Sequence, residues 1–575
     1  MRRDRNSTNR LPGRWRAWVV LLLFVVFGGA LVWRAVDLQI YDEQFLTHQG
    51  DMRHIRTVEV PANRGAIVDR NGRPLALSAP TESVWAVPSA VLAAPDKIAP
   101  LARQLGMSRA GLRQRLEKYK SRQFLYLKRQ LSPFDAHQVT AVGAPGIFLQ
   151  REYKRYYPAG EAAAQLVGLT NIDDEGQSGL ELARNQWLEG EPGERKVIKD
   201  GRGRVVDDLN EFKSPKPGHK LRLTIDARLQ YLAYRNIKQA VVQHKAKDGV
   251  VVMMDPKTGE LLAVASYPSF NPNDRSSIDA AGMRLRAATD VIEPGSTAKP
   301  IVLSGALDQG LYDTSSIIHT KGWFQVGRLT VKDEINYGDE DFAKILQKSS
   351  NVGAAHVGLS MGPKGVWRDF RNFGFGETTG TGFPGERFGV LKDYYTWNDV
   401  ETATASYGYG FAVTPLQLAR AYGAIASDGE LRSMRLILGK GADMHPPPQK
   451  AISPATAKTM RKLLEGVVSP QGTANRASVP GYKVAGKTGT ARKISADGYH
   501  RNQHRALFVG MAPADNPRLV TLVVVDAPTK GSYYGGTVAA PVFSRIMSSA
   551  LRILHVPPGN PDMLTAAAER NTAGG

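Results

Sequence analysis

The 575-residue sequence predicts an α/β (α+β) protein. Its main part is a five-stranded antiparallel sheet between helical layers, preceded by an elongated, mostly β region and one transmembrane helix. Three observations carry this expectation. Residues 17–33, AWVVLLLFVVFGGALVW, run without a charge; residues 41–217 mix short alternating strands with turns; and beyond residue 245 five strand-like segments are joined by short connections at the end and long helical excursions in the middle.

Arg2, Arg3, Arg5, Arg10, Arg14 and Arg16 flank the start of the apolar run and face one acid, Asp4. With Ala35 and Val36 beyond Arg34, whose stem can snorkel, residues 17–36 supply roughly the ~20 residues of a bilayer span. Positive charge ahead of the span holds residues 1–16 in the cytoplasm as a basic arm and places everything after Asp37 outside the inner membrane. A cleaved signal peptide is the competing reading, because Gly28, Gly29 and Ala30 resemble a processing site; apolar residues continue past that point, which favours a retained anchor. The net charge of +21 would suit nucleic acid, a membrane surface or an anionic polymer, and export argues against nucleic acid. A chain without cysteine excludes disulfides, thiol catalysis and Cys-ligated metal.

Within residues 41–217, RGAIVDRNGRPLA (64–76) alternates, turns at Asn71-Gly72 and resumes, the pattern of a β-hairpin. The segment from Asp96 to Tyr119 has helical periodicity broken at Gly106. GEPGERKVIKDGRGRVV (190–206) has no third glycine at dinucleotide-fold spacing and reads as turns. Prolines 215 and 217 mark a boundary near residue 220, and a larger domain spans 221–556. There GVVVMMDPKTGELLAVASYP is a strand, turn and strand; YKVAGKTGTAR, HRALFVGMAP and RLVTLVVVDAP are three more strands; APVFSRIMSSALRIL is a closing helix. Residues 557–575, rich in Pro, Gly and Ala, are expected to be disordered.

The chemistry begins at EPGSTAKP (293–300). Ser296 starts a helix, and Lys299 lies three residues on, on the same face, where a lysine with a lowered pKa can accept the serine proton. Alone, the pair is better read as a cap and a solvated lysine. S-x-N occurs at Ser7, Ser269 and Ser349, but only QKSSNVGAAHVG, with Ser349 and Asn351, follows at a plausible distance and opens a helix. K-T-G occurs at Lys257, inside a hairpin turn, and at Lys487-Thr488-Gly489, inside a strand where Gly486 and Gly489 let another backbone come close, a place for a substrate peptide as an added strand. S-x-x-K, S-x-N and K-T-G in this order form the motif set of serine enzymes that recognise penicillin.

On these motifs the chain resembles the class B penicillin-binding proteins, the monofunctional peptidoglycan transpeptidases. The resemblance runs from the anchor to about residue 555. RGAIVDRNGRPLA, YYPAGEAAAQLVG, GQSGLEL and DGRGRVV resemble the non-catalytic (dimerisation or pedestal) region of that class; EPGSTAKP, KSSNVG, YGYGFAVTPLQLARAYGAIASDG and KTGTA resemble its cell-division branch, the FtsI family. The resemblance implies a D,D-transpeptidase that crosslinks septal stem peptides by acyl transfer from D-Ala-D-Ala and is inhibited by β-lactams. It assigns Ser296 as nucleophile, Lys299 as its base, Ser349 as proton relay, Asn351 as a support for the substrate peptide and Lys487 as a source of positive field. Thr488 and Thr490, with Gly489 between them, would bind the terminal carboxylate, and the backbone N–H groups of Ser296 and Thr490 would form the oxyanion hole. Tyr409, in SYGYG beside Tyr407, is a cleft-wall residue for which packing and substrate contact are equally open.

No cofactor or metal is expected; His500 and His504 have H-x3-H spacing but no acid at ligand spacing. By resemblance the partners are peptidoglycan strands derived from lipid-linked precursors, a membrane glycosyltransferase of the SEDS type (FtsW) and other division proteins, at the septum. The alternatives are an elongation-type class B enzyme, with the same chemistry, and, less favoured, a β-lactamase or a β-lactam sensor. The anchor and the extra exported region argue against a β-lactamase, and a short basic arm in place of a cytoplasmic effector argues against a sensor. A bifunctional glycan-polymerising synthase would need a further domain that residues 41–217 do not resemble.

Overall fold

The computed structural model describes residues 14–41, 55–199, 205–439, 442, 444–495 and 498–559. The expectations for residues 1–13 and 560–575 lie outside these. Helix α1 (Arg14–Val36) and a π turn over Asp37–Tyr41 contain the one stretch among the described residues long and apolar enough to cross a membrane, Trp15–Gln39, with mean hydropathy 2.4 and no part of it buried. Its apolar side chains have no protein partner to cover them; Phe24 is 73% exposed.

The next region is framed by two sheets. Strand β1 (Ile55–Val60) pairs with β6 (Gly193–Lys199), which pairs with β7 (Val205–Lys213). The stretch expected to be turns therefore supplies two strands, with 200–204 between them outside the described residues. Its charges hid the alternation, and β1, some 140 residues upstream, supplies the pairing that local pattern could not announce. The hairpin forms as expected: β2 (Ile67–Val68) pairs antiparallel with β3 (Pro74–Ala86) across a turn in which Gly72 has φ 85°. β3 continues into pairs with β4 (Leu125–Leu131) and β5 (Ile147–Tyr156). Beside these strands sits a helical insertion: α2 (Pro95–Leu105), ended by Gly106 at φ 70°, then α3 (Arg109–Lys118) and α4 (Pro133–Ala141), whose apolar faces share a separate core with Val84, Leu125 and Leu127.

A buried ionic knot ties the region together. Glu181 accepts from Arg64 Nε at 2.8 Å and Arg155 Nε at 2.7 Å, all three side chains 2% exposed or less, and Arg155 also donates to the Gly65 carbonyl. The composition shift near residue 220 falls on β8 (Leu221–Leu223), which pairs in parallel with β2 on one side and antiparallel with β14 (Ile437–Leu438) on the other. One sheet and one hydrophobic cluster thus run through both halves of the chain.

The second half is organised by a five-stranded antiparallel sheet in the order β10-β9-β18-β17-β16: β10 (Leu261–Tyr267), β9 (Asp248–Met254), β18 (Leu519–Asp526), β17 (Gly498–Ala512) and β16 (Ala485–Ser495). All eight residues of β18 are buried, which is why it reads as an unbroken apolar run. Helices α5 (Ala227–Gln243) and α11 (Gly535–Ile553) pack against β9, β10, β17 and β18; α9 (Pro415–Ala426), every residue buried, also packs on β9, β17 and β18. Helix α10 (Pro454–Val468) packs on α9 and β16, α6 (Lys299–Asp308) and α7 (Phe342–Lys348) pack on α10, and α8 (Asn351–Asn372) packs on α6. Strand β16 is the edge of the sheet, and the cleft described next lies along it.

Candidate active site

Glycine geometry builds the turn that carries Ser296. Gly295, at φ 53°, opens a 3₁₀ turn over Gly295–Ala298 that runs into α6, so Ser296 sits in the tight turn just before the α-helix expected to begin there. The Gly295 amide donates to the Gly408 carbonyl at 3.0 Å, and a side chain at Gly408 would meet the Gly295 carbonyl oxygen at 1.9 Å. Thr297 Oγ1 donates to the Pro294 carbonyl, and the buried Tyr422 hydroxyl donates to the Thr297 carbonyl at 2.9 Å.

Helix α6 is buried along its length and carries Lys299 into the interior with no exposure. Lys299 Nζ lies 3.0 Å from Ser296 Oγ, 3.2 Å from Ser349 Oγ and 2.8 Å from Asn351 Oδ1, and it donates to the Ser349 carbonyl. Burial pulls its pKa from 10.5 down to about 7, against the opposing pull of Asp333 and, in its ionised form, of Glu340. From the other side Lys487 Nζ donates to Ser349 Oγ at 2.9 Å. Lys487 is also fully buried, and burial together with the charge of Lys299 holds its pKa well below the ordinary value. Ser349 is therefore bridged by two lysines. It has φ 62°, ψ 40°, the left-handed region that a non-glycine residue enters at a cost of roughly 1–2 kcal/mol. Asp333 anchors the turn: its Oδ1 accepts from the amides of Asn351 and Val352, and its Oδ2 accepts from Ser350 Oγ.

Thr488 Oγ1 and Thr473 Oγ1 are 2.8 Å apart, and Thr490 Oγ1 accepts from the Gly535 amide, which leaves the Thr490 hydroxyl proton to be donated elsewhere. The backbone that approaches Gly489 is the protein's own: a Cβ there would meet Thr297 Cγ2 at 3.0 Å and the Pro294 oxygen at 3.1 Å. Gly486 likewise faces the Phe508 ring and the Val509 carbonyl. These glycines seat β16 on the serine-bearing turn and on its own sheet, whereas the place for an added peptide strand comes from β16 being an edge. The Tyr409 hydroxyl reaches the Thr490 carbonyl at 3.4 Å, and its ring meets Tyr499 edge-on with centroids 5.9 Å apart.

The structure thus gathers Ser296, Ser349, Asn351, Tyr409, Thr488 and Thr490 around one cleft of about 410 Å³, with Lys299 and Lys487 beneath it. It keeps the duplicate motifs away: Lys257 is an exposed turn residue that donates to Asn516 Oδ1, and Ser269 Oγ donates to the Glu161 carbonyl. His504 stacks on Tyr533 with centroids 4.2 Å apart. The motif reading missed Thr473, Asp333 and Tyr534, which also line the cleft. Thr473 belongs to no motif, and Asp333, one acid of KDE, becomes distinctive only once it caps α8.

A cleft serine beside a buried lysine, completed by a second serine and a second lysine on the edge of an antiparallel sheet between helices, is the site of a penicillin-recognising serine acyltransferase. Residues 249–548 match the family model described as the penicillin binding protein transpeptidase domain, and residues 59–223 match that described as the penicillin-binding protein dimerisation domain. The chain is 42% identical over 561 residues (97% of this chain, 99% of the relative) to the probable peptidoglycan D,D-transpeptidase PbpC of Pseudomonas aeruginosa. It is 40% identical over 551 residues (95% and 92%) to the peptidoglycan D,D-transpeptidase FtsI of Escherichia coli. Among solved structures, the transpeptidase domain of Burkholderia pseudomallei penicillin-binding protein 3 matches at 42% identity and TM-score 0.54, covering 59% of this chain and 98% of that one. Penicillin-binding protein 3 of Mycobacterium tuberculosis, complexed with aztreonam, matches at 28% identity and TM-score 0.68, covering 88% and 99%. This chain belongs to the penicillin-binding protein transpeptidases, in their class B branch.

Proposed function

We propose that this protein is a septal peptidoglycan D,D-transpeptidase that works through a serine acyl-enzyme. The observation that carries the reading is Lys299 Nζ, 3.0 Å from Ser296 Oγ and carried on a buried helix that favours its neutral form. Neutral Lys299 takes the Ser296 proton as Oγ attacks the penultimate D-Ala carbonyl. The carbonyl oxygen collects negative charge opposite the Ser296 and Thr490 backbone N–H groups, and the field of Lys487 favours that charge. As the C–N bond breaks, Ser349 passes a proton from the lysines to the leaving D-Ala amine. An amine from a second stem then attacks the Ser296 ester, a new amide forms, and Ser296 regains its proton. Asn351 and Tyr409 support the donor peptide along β16, while Thr488 and Thr490 hold its terminal carboxylate.

A β-lactam enters the same sequence and stops at the ester, which gives the test. Ser296→Ala abolishes covalent labelling by a fluorescent penicillin, and Ser269→Ala does not; undiminished labelling of Ser296→Ala would sink the assignment. Slow hydrolysis of the isolated penicilloyl protein separates it from a β-lactamase.

The septal role follows the similarity to the relative named FtsI. On this reading residues 17–36 anchor the protein in the inner membrane with the N-terminus cytoplasmic and the catalytic region periplasmic. The region before residue 220 and the anchor meet FtsW and other division proteins, and glycan strands from lipid-linked precursors reach the cleft. A tagged protein that spreads along the side wall, rather than gathering at midcell, would assign it to elongation instead.

A further inference from the structure

Ser350, the middle residue of Ser349-Ser350-Asn351, is fully buried, and its Oγ has three polar neighbours: the Gly353 amide at 2.9 Å, Asp333 Oδ2 at 2.7 Å and Glu340 Oε1 at 2.9 Å. The amide can only donate, so it occupies one lone pair of the hydroxyl. One hydroxyl proton then remains for two carboxyl oxygens. With both acids ionised, one oxygen would face Ser350 Oγ lone pair to lone pair at a hydroxyl that is itself fully buried. The contacts close only if one carboxyl brings its own proton and donates it to Ser350.

The surroundings identify which. Asp333 is partly open to the cleft, and its Oδ1 accepts from the Asn351 and Val352 amides at the start of the long helix α8, where negative charge is favoured. Glu340 has no such donors. It is fully buried, and among the described residues its Oε2 has no hydrogen-bond partner and its Oε1, beyond Ser350, meets only Thr320 Oγ1 at 3.4 Å. Its backbone is bonded both ways to Ile318, at 2.7 and 3.0 Å, which keeps the carboxyl from swinging to solvent. Of the charged and titratable groups around it, Asp333 and Tyr337 offer no positive charge, Lys344 donates to the Tyr337 and Asp339 carbonyls and its charge opposes the effect of burial only weakly, and Lys299 is held by Ser349 and Asn351. Burial, aided by Asp333, raises the Glu340 pKa.

We propose that Glu340 is a neutral carboxylic acid in the working enzyme and a positioning residue for its second motif. Its proton goes to Ser350 Oγ, the Ser350 proton goes to Asp333, and this chain fixes the turn that holds Ser349 between Lys299 and Lys487. A neutral Glu340 also leaves Lys299 facing one carboxylate instead of two; an ionised one would strengthen the hold of Lys299 on its proton and withdraw the base. The inference rests on Lys299 acting as the base of acylation.

The test is the rate of acylation by fluorescent penicillin as a function of pH, for the full-length protein and for Glu340→Ala and Glu340→Gln. The alanine variant loses the donor and slows roughly tenfold or more; glutamine, an uncharged donor of the same shape, restores most of that loss and leaves the acidic midpoint of the profile where the wild type has it. A midpoint that moves to lower pH in Glu340→Gln would mean that a negative charge had been removed beside Lys299, and would overturn the proposal. So would an alanine variant that acylates at the wild-type rate. If the alanine variant does not fold, the glutamine midpoint decides alone. Failure of the catalytic reading has a different signature, persistent labelling of Ser296→Ala.

Discussion

Acidification from pH 8 to pH 6 should slow acylation about tenfold while the protein stays folded. The magnitude comes from one group. Lys299 is fully buried, and the loss of hydration draws its pKa from 10.5 to about 7. A base must be neutral to accept the Ser296 proton, and the neutral fraction of a group titrating near 7 is about 90% at pH 8 and about 10% at pH 6. Above about pH 8.5 the rate should level off, because little protonated lysine remains to convert. The assay is the second-order rate of labelling by fluorescent penicillin across this range, with thermal unfolding at each pH to separate loss of base from loss of fold. A rate that is flat from pH 8 to 6, falling only near pH 4 to 5 where ordinary carboxylates titrate, would refute Lys299 as the base. The same shift appears in stability with a definite sign. The folded-state pKa is depressed, so between about 7 and 10.5 the unfolded chain binds a proton that the folded protein does not, while below about 7 both states are protonated and the full penalty of the buried charge applies. The penalty fades as pH rises from 7 towards 10.5. Lys299→Met removes it, so the stability of the variant relative to wild type should fall between pH 7 and 10, by up to something on the order of 4 kcal/mol.

The two K-T-G copies should part company: Lys487→Ala slows acylation about a hundredfold, because it removes the amine that donates to Ser349 Oγ from that side, whereas Lys257→Ala changes stability by no more than ~0.5 kcal/mol and leaves labelling intact. Equal effects on labelling would show that the sheet edge is not the site. Glu181→Ala removes the carboxylate that the buried Arg64 and Arg155 share and should cost about 3–5 kcal/mol, read as a lowered Tm; an unchanged Tm would mean that water or another acid, such as Asp174, replaces the carboxylate. Removal of residues 1–40 should release a soluble protein that still labels with penicillin but fails to support division, and a truncated form that sustains division would remove the argument for tethering.

Features set by nearest neighbours in the chain were legible in advance. The apolar span, the Asn71-Gly72 turn, the helix break at Gly106 and the strands β9 and β18 each depend on local periodicity or on one glycine. The serine and lysine of EPGSTAKP were legible for the same reason, since a single turn brings them within 3.0 Å. Strands β6 and β7 were not, because their charges mask the alternation and β1, the strand that completes their sheet beside β6, lies far upstream. Asp333 and Glu340 escaped notice for a related reason. An acid is common on a surface, and only the fold shows that these two converge on one buried hydroxyl, from a strand end and an isolated bridge.

The arrangement around Ser349 shows why such a site needs a large, continuous core. Two lysines with no exposure, a serine in the left-handed region and a buried acid are each unfavourable alone, and they share one small volume. Their costs are offset by packing: α6, which carries Lys299, and α9 are buried along nearly their whole length, and one hydrophobic cluster extends from Ile67 through the five-stranded sheet to Val556. That stiffness is what lets the lysines remain unhydrated. A looser core would admit water to Lys299, restore its ordinary pKa and leave Ser296 beside a protonated amine that cannot act as a base. Cavity-forming changes in the buried face of α6, such as Val302→Ala, should therefore slow acylation at pH 7 more than at pH 9. Equal slowing at both pH values would show that packing positions the lysine without setting its protonation.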